Sequence, residues 1–286
     1  MKKGLVMEGG AMRGLFTCGV LDVLMEHAID FDSAVGVSAG ATFGINIKSK
    51  QIGRALRYNK RYCGDKRYAS IHSLLTTGDI YNVAFCYRTL PYDLDVWDTH
   101  TFYNNPMDFF CVATDLDTGK PVYHLCNHPD DTPNGIDIQW IRASASMPVV
   151  SRPVKIDGRL YLDGGMSDSI PLQFMEQQNC DKILVIETQP ADYRKQPQKH
   201  MGLIRMKLRH YPHMVETMAN RHLMYNAEKE YIAAKEDSGA VFVIRPAAPL
   251  QIGATEKNPQ ELQRVYDLGR REALKNIDSL KHYFCI

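Results

Sequence analysis

The sequence predicts a three-layer α/β/α fold with a mostly parallel central sheet. Residues 5–7 and 33–37 have the pattern of short buried strands, and apolar residues recur at helical spacing between them. A strand, a helix and a second strand in this order favour parallel pairing. Helical stretches separate four further predicted strands, at residues 109–114, 121–125, 182–187 and 240–244.

A hairpin is predicted in the middle of the chain. Its strands, 154–156 and 159–162, flank Asp157-Gly158, a pair that supports the positive φ angles of a two-residue turn. The second strand leads directly into Asp163, which two glycines follow. The hairpin therefore delivers a carboxylate to a glycine turn.

The same pattern predicts how the chain is divided. Residues 1–190 alternate strands and helices and carry the motifs described below, whereas 191–286 are predicted to be mostly helical and packed on the same domain. Residues 93–107 are aromatic, polar and interrupted by a proline, which is typical of a long loop or lid.

Composition excludes several classes of protein. With 44% hydrophobic residues, 23% charged residues and a formal net charge of +1, we expect a globular protein with no nucleic-acid partner. The seven cysteines form no closely spaced pair, which argues against a disulfide framework and against zinc and favours a reducing compartment. The N-terminal apolar run breaks at Glu8 and no stretch is long enough to span a bilayer. We therefore expect a cytoplasmic protein that meets a membrane only peripherally, at its inner face; its oligomeric state stays open.

A candidate nucleophile lies in Gly36-Val37-Ser38-Ala39-Gly40, which has the spacing of a nucleophile elbow. A predicted strand precedes Ser38 and a predicted helix follows it. Ser38 would then stand at a helix N-terminus, where backbone amides and the helix dipole favour developing negative charge.

The base that would activate Ser38 has two candidate types. One candidate is a histidine in a catalytic triad with the chain order Ser, Asp, His. However, the strand that carries Ser38 comes too early in the chain for the usual α/β-hydrolase arrangement. The histidines that would fit it have no distinctive setting; they are His200, His210, His213, His222 and His282. The other candidate is Asp163, because burial against apolar residues would raise its pKa and let it accept the serine proton. Asp163-Gly164 is equally compatible with an ordinary turn at a strand end.

A glycine-rich loop, residues 9–14, follows the first strand. Its consecutive amides could face the oxyanion of a tetrahedral intermediate or cradle a phosphate. The loop lacks the lysine-serine ending of a P-loop, and Ala11 breaks the spacing of a dinucleotide fingerprint. Nucleotide binding is therefore the weaker interpretation.

Taken together, these segments resemble the patatin-like phospholipase family, whose four sequence blocks occur here in order. The blocks are Gly9-Gly10-Ala11-Met12-Arg13-Gly14, Gly36-Val37-Ser38-Ala39-Gly40, Ala143-Ser144-Ala145-Ser146-Met147-Pro148 and Asp163-Gly164-Gly165. The resemblance implies a Ser-Asp dyad that hydrolyses lipid ester bonds through an acyl-enzyme, without a metal or cofactor. It makes Ser38 the nucleophile and Asp163 the general base.

The resemblance also assigns supporting roles. The amides of Gly9, Gly10 and Ala11 would form the oxyanion hole. Nearby support would come from Arg13, Gly36, Gly40, Gly164 and Gly165. Where the family usually has a glycine this chain has Ala11, and its methyl group restricts the φ angles of the loop. The alternative function is a non-catalytic lipid-binding or regulatory protein that keeps the fold.

Two further expectations concern partners. No cluster of His, Cys and carboxylate residues has metal-ligand spacing in the sequence, so chelators are expected to leave activity unchanged. Two basic stretches, 48–67 and 193–215, are candidates for docking on an anionic membrane surface and equally fit the pattern of solvated helix faces. The cations of the second stretch are Arg194, Lys195, Lys199, Arg205, Lys207 and Arg209.

Overall fold

The computed structural model describes residues 1–129 and 132–286, in which eight strands form one sheet. The strands are β1 (Lys3–Met7), β2 (Ser33–Val37), β3 (Asp108–Asp115), β4 (Pro121–Leu125), β5 (Val154–Ile156), β6 (Arg159–Asp163), β7 (Lys182–Ile186) and β8 (Val241–Ile244). Their order across the sheet is β5-β6-β3-β2-β1-β7-β8, and β4 pairs with β3 beside this path.

The sheet is mostly parallel, as predicted. β1 is parallel to β2 and to β7, β2 is parallel to β3, and β7 is parallel to β8. The antiparallel pairings are β3 with β4, β3 with β6, and β5 with β6. In the β5–β6 turn, Asp157 and Gly158 have φ angles of 48° and 82°, which confirms the predicted hairpin.

Helices connect the strands and cover them. They are α1 (Gly14–Glu26), α2 (Ala39–Lys48), α3 (Arg54–Tyr62), α4 (Ile71–Thr77), α5 (Thr99–Asn104), α6 (Ile136–Ser144), α7 (Leu172–Glu176), α8 (Met201–Lys207), α9 (Pro212–Asp237) and α10 (Pro259–Tyr283). Short 3-10 turns at Ala11–Arg13 and Gly164–Met166 and a π-helical segment at Phe85–Leu94 complete the described elements.

Alternate residues of the strands face two separate cores, as the two-residue period of a strand requires. Leu5 and Met7 of β1 belong to a core that includes residues of α1, α2 and α10. Val6, between them, belongs to a core that includes residues of α7 and α9. Helices therefore cover both faces of the sheet, and the predicted three-layer α/β/α fold is confirmed.

Residues 93–107 do not form the predicted lid. They contain α5, and Trp97 and Phe102 are both buried, with ring centroids 4.9 Å apart in an edge-to-face contact. Phe102 packs in turn on Phe109 of β3, at a centroid distance of 5.8 Å. The segment is thus a packed part of the core, and the lid prediction is wrong.

The first basic stretch is partly structural rather than exposed. Lys48 and Arg54 are both buried, and Arg54 donates hydrogen bonds to the Asp95 carbonyl and to Asn46 Oδ1. Arg57 adds a two-pronged ion pair to the Asp95 carboxylate, with both N–O distances 2.8 Å. Arg54 and Arg57 therefore fix the loop before α5, and the buried Lys48 and Arg54 are not available for docking.

Within residues 1–129 and 132–286, none of the helices combines the length and apolar character that crossing a membrane requires.

Candidate active site

The elbow predicted around Ser38 is present between β2 and α2. Ser38 has φ 54° and ψ −116°, a strained conformation for a residue other than glycine. A Cβ atom added to Gly36 would lie 2.3 Å from the Gly40 carbonyl oxygen, and one added to Gly40 would lie 2.3 Å from the Met7 carbonyl oxygen. Both glycines are therefore needed for the turn to pack against itself and against β1.

The Ser38 and Asp163 side chains meet at this turn. Ser38 Oγ donates a hydrogen bond to Asp163 Oδ2 at 2.7 Å, and both residues are buried. The other carboxylate oxygen, Oδ1, accepts from the Gly165 amide at 2.8 Å. The Ser38 amide donates to Ser144 Oγ at 2.9 Å, and the Asp163 amide donates to the Ser146 carbonyl at 2.8 Å. The alanine-serine block thus holds the backbones of both residues.

Burial raises the pKa of Asp163. The Ser38 hydroxyl, the positive charge of Arg221 and the Gly165 amide each stabilise the carboxylate and oppose this shift, but burial prevails. A carboxylate with a raised pKa is a better proton acceptor than an exposed one.

Arg221 is a site neighbour that the sequence did not indicate. It lies on α9, its Nε donates to the Gly165 carbonyl, and burial lowers its pKa. No motif marks this position, and it follows Asp163 by more than fifty residues. Arg221 therefore fixes the turn after Asp163 and places positive charge near the carboxylate.

The glycine-rich loop lies against the nucleophile. A Cβ atom added to Gly9 would be 3.0 Å from Ser38 Cβ. The amides of Gly9, Gly10 and Ala11 donate no hydrogen bond to any residue that the structure describes. Ala11 has φ 49°, so its methyl group is accommodated in a left-handed conformation, which strains the loop. These amides remain available as donors.

The same loop is anchored by residues far along the chain. The buried Glu8 carboxylate accepts from the Tyr225 hydroxyl of α9 at 2.7 Å and from the Thr188 amide. Thr188 Oγ1 in turn donates to the Gly9 carbonyl at 2.9 Å. The loop position therefore depends on the segment after β7 and on α9, which sequence reasoning did not connect with it.

Three cations border the loop and Asp163. Burial, followed by the positive charges of Arg221 and Arg13, lowers the pKa of Lys195 to about 8. The Lys195 ammonium lies over the Tyr225 ring, 4.4 Å from its centroid. Arg13 Nε is buried and has no hydrogen-bond partner among the described residues. The shared positive potential would favour an anionic group beside the site.

An apolar pocket opens at Ser38. Its walls include aromatic and aliphatic side chains of α2, α6 and the π-helical segment. The lining consists of Ala11, Met12, Ser38, Ala39, Thr42, Phe43, Ile45, Arg54, Tyr58, Tyr68, Tyr81, Cys86, Tyr87, Leu90, Pro91, Ile138, Ile141, Ala145 and Met147. No histidine occurs in this lining, and no described histidine is hydrogen-bonded to Ser38. The triad interpretation therefore has no support from the geometry.

A second cluster of side chains lies at the start of α6, at residues that the sequence analysis did not identify as metal ligands. His124, His128 and Asp137 each offer one ligand atom, and these atoms lie within 4.8 Å of one another. His124 and His128 are four residues apart, a spacing found in metal-binding histidine pairs, and this signal could have indicated the site. Asp137 joins them only in the folded chain.

The fold and the site define a three-layer α/β protein with a nucleophile elbow, a buried serine-aspartate pair and a loop of free amides. A model of the patatin-like phospholipases matches residues 5–175. The match covers more than half of the 286 residues, so the chain belongs to the patatin-like phospholipase family. A second model, a domain of unknown function (DUF6363), matches residues 211–284.

Similar proteins include both short and very long chains. The uncharacterized protein YjjU of Escherichia coli K12 is 29% identical over 93% of this chain and 74% of its own length. Lysophospholipase NTE1 of Saccharomyces cerevisiae is 27% identical over 67% of this chain, which matches only 11% of that protein. The crystal structure of VipD from Legionella pneumophila has a TM-score of 0.48 and 12% identity over 97% of this chain and 67% of that one.

Proposed function

We propose that this chain is a lipid acyl hydrolase in which Ser38 is the nucleophile and Asp163 the general base. The single observation that carries the proposal is the 2.7 Å hydrogen bond from Ser38 Oγ to Asp163 Oδ2 at a strained elbow. Family membership supports hydrolysis of lipid esters in general.

Acylation begins when Ser38 Oγ attacks the ester carbonyl carbon and Asp163 Oδ2 takes the hydroxyl proton. The carbonyl oxygen becomes an oxyanion that accepts hydrogen bonds from the amides of Gly9, Gly10 and Ala11. As the tetrahedral intermediate collapses, the C–O bond to the alcohol breaks and Asp163 gives its proton to the leaving oxygen. The acyl group stays on Ser38.

Deacylation repeats these steps with water. Asp163 accepts a proton from a water molecule as its oxygen attacks the acyl carbonyl carbon, and the same amides stabilise the second oxyanion. The C–O bond to Ser38 then breaks, Ser38 regains its proton from Asp163, and the fatty acid leaves. No redox step or external proton carrier is needed.

The residues around the dyad favour, as substrate, a lipid with an apolar acyl chain and a negatively charged headgroup. The apolar pocket beside Ser38 fits an acyl chain. The positive charges of Arg13, Lys195 and Arg221 favour a phosphate-bearing lipid over a neutral acylglycerol. The lysophospholipase names of several relatives agree with this choice.

A lipid panel tests the proposal. The purified chain is incubated with phospholipids, lysophospholipids, acylglycerols and a small ester, and released fatty acids are identified by mass spectrometry. Ser38→Ala and Asp163→Asn are each expected to remove most activity, by about a thousandfold or more, and the double variant should be little worse than either.

The matched control is Asp157→Asn, which changes an exposed aspartate in the same hairpin. It should leave hydrolysis unchanged. A double variant far worse than both single variants would show that the two residues do not act as one unit. Hydrolysis of no lipid by the wild type would favour the non-catalytic alternative.

A further inference from the structure

The cluster of His124, His128 and Asp137 is built from two elements that only the fold brings together. His124 lies on β4, His128 follows it in the next loop, and Asp137 lies in the first turn of α6. His124 Nε2 is 2.7 Å from Asp137 Oδ1, and His128 Nδ1 is 3.4 Å from the same oxygen. The three ligand atoms already converge on one point.

We propose that these three residues bind a divalent transition-metal ion of the zinc type. Imidazole and carboxylate ligands suit zinc and its neighbours, and ligand atoms around tetrahedral zinc stand about 3.3 Å apart at bond lengths of about 2.0–2.1 Å. The contacts within this cluster are 2.7 and 3.4 Å, and its widest ligand separation is at most 4.8 Å. Small side-chain rotations therefore suffice to enclose an ion.

The ligand rings are held in orientation before any ion arrives. The His124 ring stacks on Trp140, with centroids 4.9 Å apart and planes 9° apart, and on His128 at 5.6 Å and 16°. Asp137 is almost completely buried, and its Oδ2 accepts from the His128 amide at 2.9 Å. Such outer contacts fix ligand direction in metal sites.

The charged groups around Asp137 are also compatible with a bound cation. Lys48 interacts electrostatically with Asp137, but its ammonium contacts the Cys126 carbonyl at 3.5 Å and forms no ion pair with the carboxylate among the described residues. A metal ion would add a positive charge directly beside this buried carboxylate.

The site is accessible and lies apart from the dyad. The His128 side chain is 58% exposed, so an ion can reach the cluster from solvent, and a water would complete four-coordination. α6 carries Asp137 at its start and, at its end, Ser144, which holds the Ser38 amide. An ion that ties β4 to α6 would therefore stabilise the element behind the elbow and take no part in acyl transfer.

Metal binding by the intact chain tests this proposal without any assay of hydrolysis. The protein is freed of metal with a chelator, which is then removed, and Zn²⁺ is titrated in competition with a chromophoric chelator. We expect one ion per chain with a dissociation constant of about 1 µM or tighter. Co²⁺ should give the visible absorption of a tetrahedral site, and Zn²⁺ should raise the Tm.

His128→Ala is the decisive variant because its ring is exposed and its loss does not threaten the core. It should weaken Zn²⁺ binding by at least about tenfold and abolish the zinc-dependent rise in Tm. Asp137→Asn should do the same, and the control His72→Ala, an exposed histidine of α4, should bind as the wild type does. Absence of stoichiometric binding, or unchanged binding by His128→Ala, overturns the proposal.

Discussion

Two regions of the chain contribute to the candidate active site in different ways. One matches the patatin-like phospholipases, and the other matches the domain of unknown function. Residues 5–175 carry Ser38 and Asp163 in short motifs. Residues 211–284 carry no recognised motif, yet α9 brings Arg221 to the Asp163 turn and Tyr225 to the loop before Arg13. The comparison indicates that the second region completes the support of the site.

Helix α9, which carries Arg221 and Tyr225, is attached to the sheet by buried charged residues. Lys229 and Glu187 form a buried ion pair at 2.8 Å at the end of β7, and Arg245 contacts the same carboxylate at 2.7 Å. β8, the last strand, extends the sheet beside β7. We propose that residues 1–190 and 191–286 fold as one unit because they share a sheet and this ion pair.

Breaking the buried pair is expected to have the largest effect on stability. Lys229→Met would leave the buried Glu187 with Arg245 as its remaining partner. Because a fully unpaired buried charge costs about 3–5 kcal/mol, we expect a loss of unfolding free energy of up to about that size. Lys275→Met, at an exposed position of α10, is the control and should behave like the wild type. Urea denaturation measures both. Equal stability of the two variants would mean that α9 does not depend on the pair.

A second comparison concerns two helical glycines. A Cβ atom added to Gly269 of α10 would lie 2.0 Å from the Phe16 carbonyl oxygen of α1, whereas nothing lies within 4 Å of one added to Gly202 of α8. Gly269→Ala should therefore destabilise the protein by about 1–3 kcal/mol, and Gly202→Ala should stabilise it by up to about 1 kcal/mol. Thermal unfolding distinguishes the two signs; a stabilising Gly269→Ala would exclude close packing of α10 on α1.

The pH dependence of hydrolysis tests the base in the first region. Because Asp163 must be deprotonated to accept the Ser38 proton and its pKa is raised by burial, kcat/KM should fall about tenfold per pH unit below a pKa higher than the ordinary 3.9. A profile that stays flat down to pH 4 would contradict a raised pKa.

The raised pKa of Asp163 has the opposite effect on stability: activity rises with pH, whereas the free energy of unfolding falls. The pKa of Asp163 is higher in the folded protein than in the unfolded chain. Protonated Asp163 therefore stabilises the fold fully at pH values below the pKa of the unfolded chain, and this contribution is lost as the pH rises through the pKa of the folded protein. Asp163→Asn should therefore be at least as stable as the wild type at pH 7 while it is inactive. Calorimetry at pH 7 checks this, and a clear loss of Tm would assign Asp163 a structural role.

The smallest predicted effect concerns membrane docking by the second basic stretch. Arg205, Lys207 and Arg209 are exposed on and after α8, as are Leu203 and Met206. We propose that this surface docks on anionic lipid, with each cation contributing about 1 kcal/mol at best.

Vesicle co-sedimentation at low and high salt tests that docking. The triple variant Arg205→Gln, Lys207→Gln and Arg209→Gln should bind anionic vesicles more weakly than the wild type. Arg271→Gln with Lys275→Gln, exposed on α10, is the control. Equal binding of the wild type to neutral and anionic vesicles would show that these cations form an ordinary solvated helix face and not a docking surface.

The elbow and the Asp163 turn could be predicted because each signal lies within a few consecutive residues. A serine between small residues, with a strand before and a helix after, has few alternative structures. The hairpin turn at Asp157-Gly158 was equally local, since its positive φ angles are a property of the pair itself.

The contributions of residues distant in sequence could not be predicted in this way. Arg221 acquires its neighbours only through packing of α9 on the sheet. Asp137 is nearer in sequence to His124 and His128, but only the fold brings its carboxylate to the two rings. Residues 93–107 were misread because polar and aromatic composition resembles a loop, whereas Trp97 and Phe102 pack into the core. Composition alone does not distinguish an exposed aromatic residue from a buried one.

Reaction with a fluorophosphonate probe tests the central claim most directly, because the probe forms a covalent bond only with an activated nucleophile. Intact mass and peptide mapping should show one adduct, on Ser38. Asp163→Asn should react much more slowly, Ser38→Ala should not react, and Asp157→Asn should react like the wild type. An inert wild-type protein, or an adduct on another serine, would contradict a Ser38-Asp163 hydrolase.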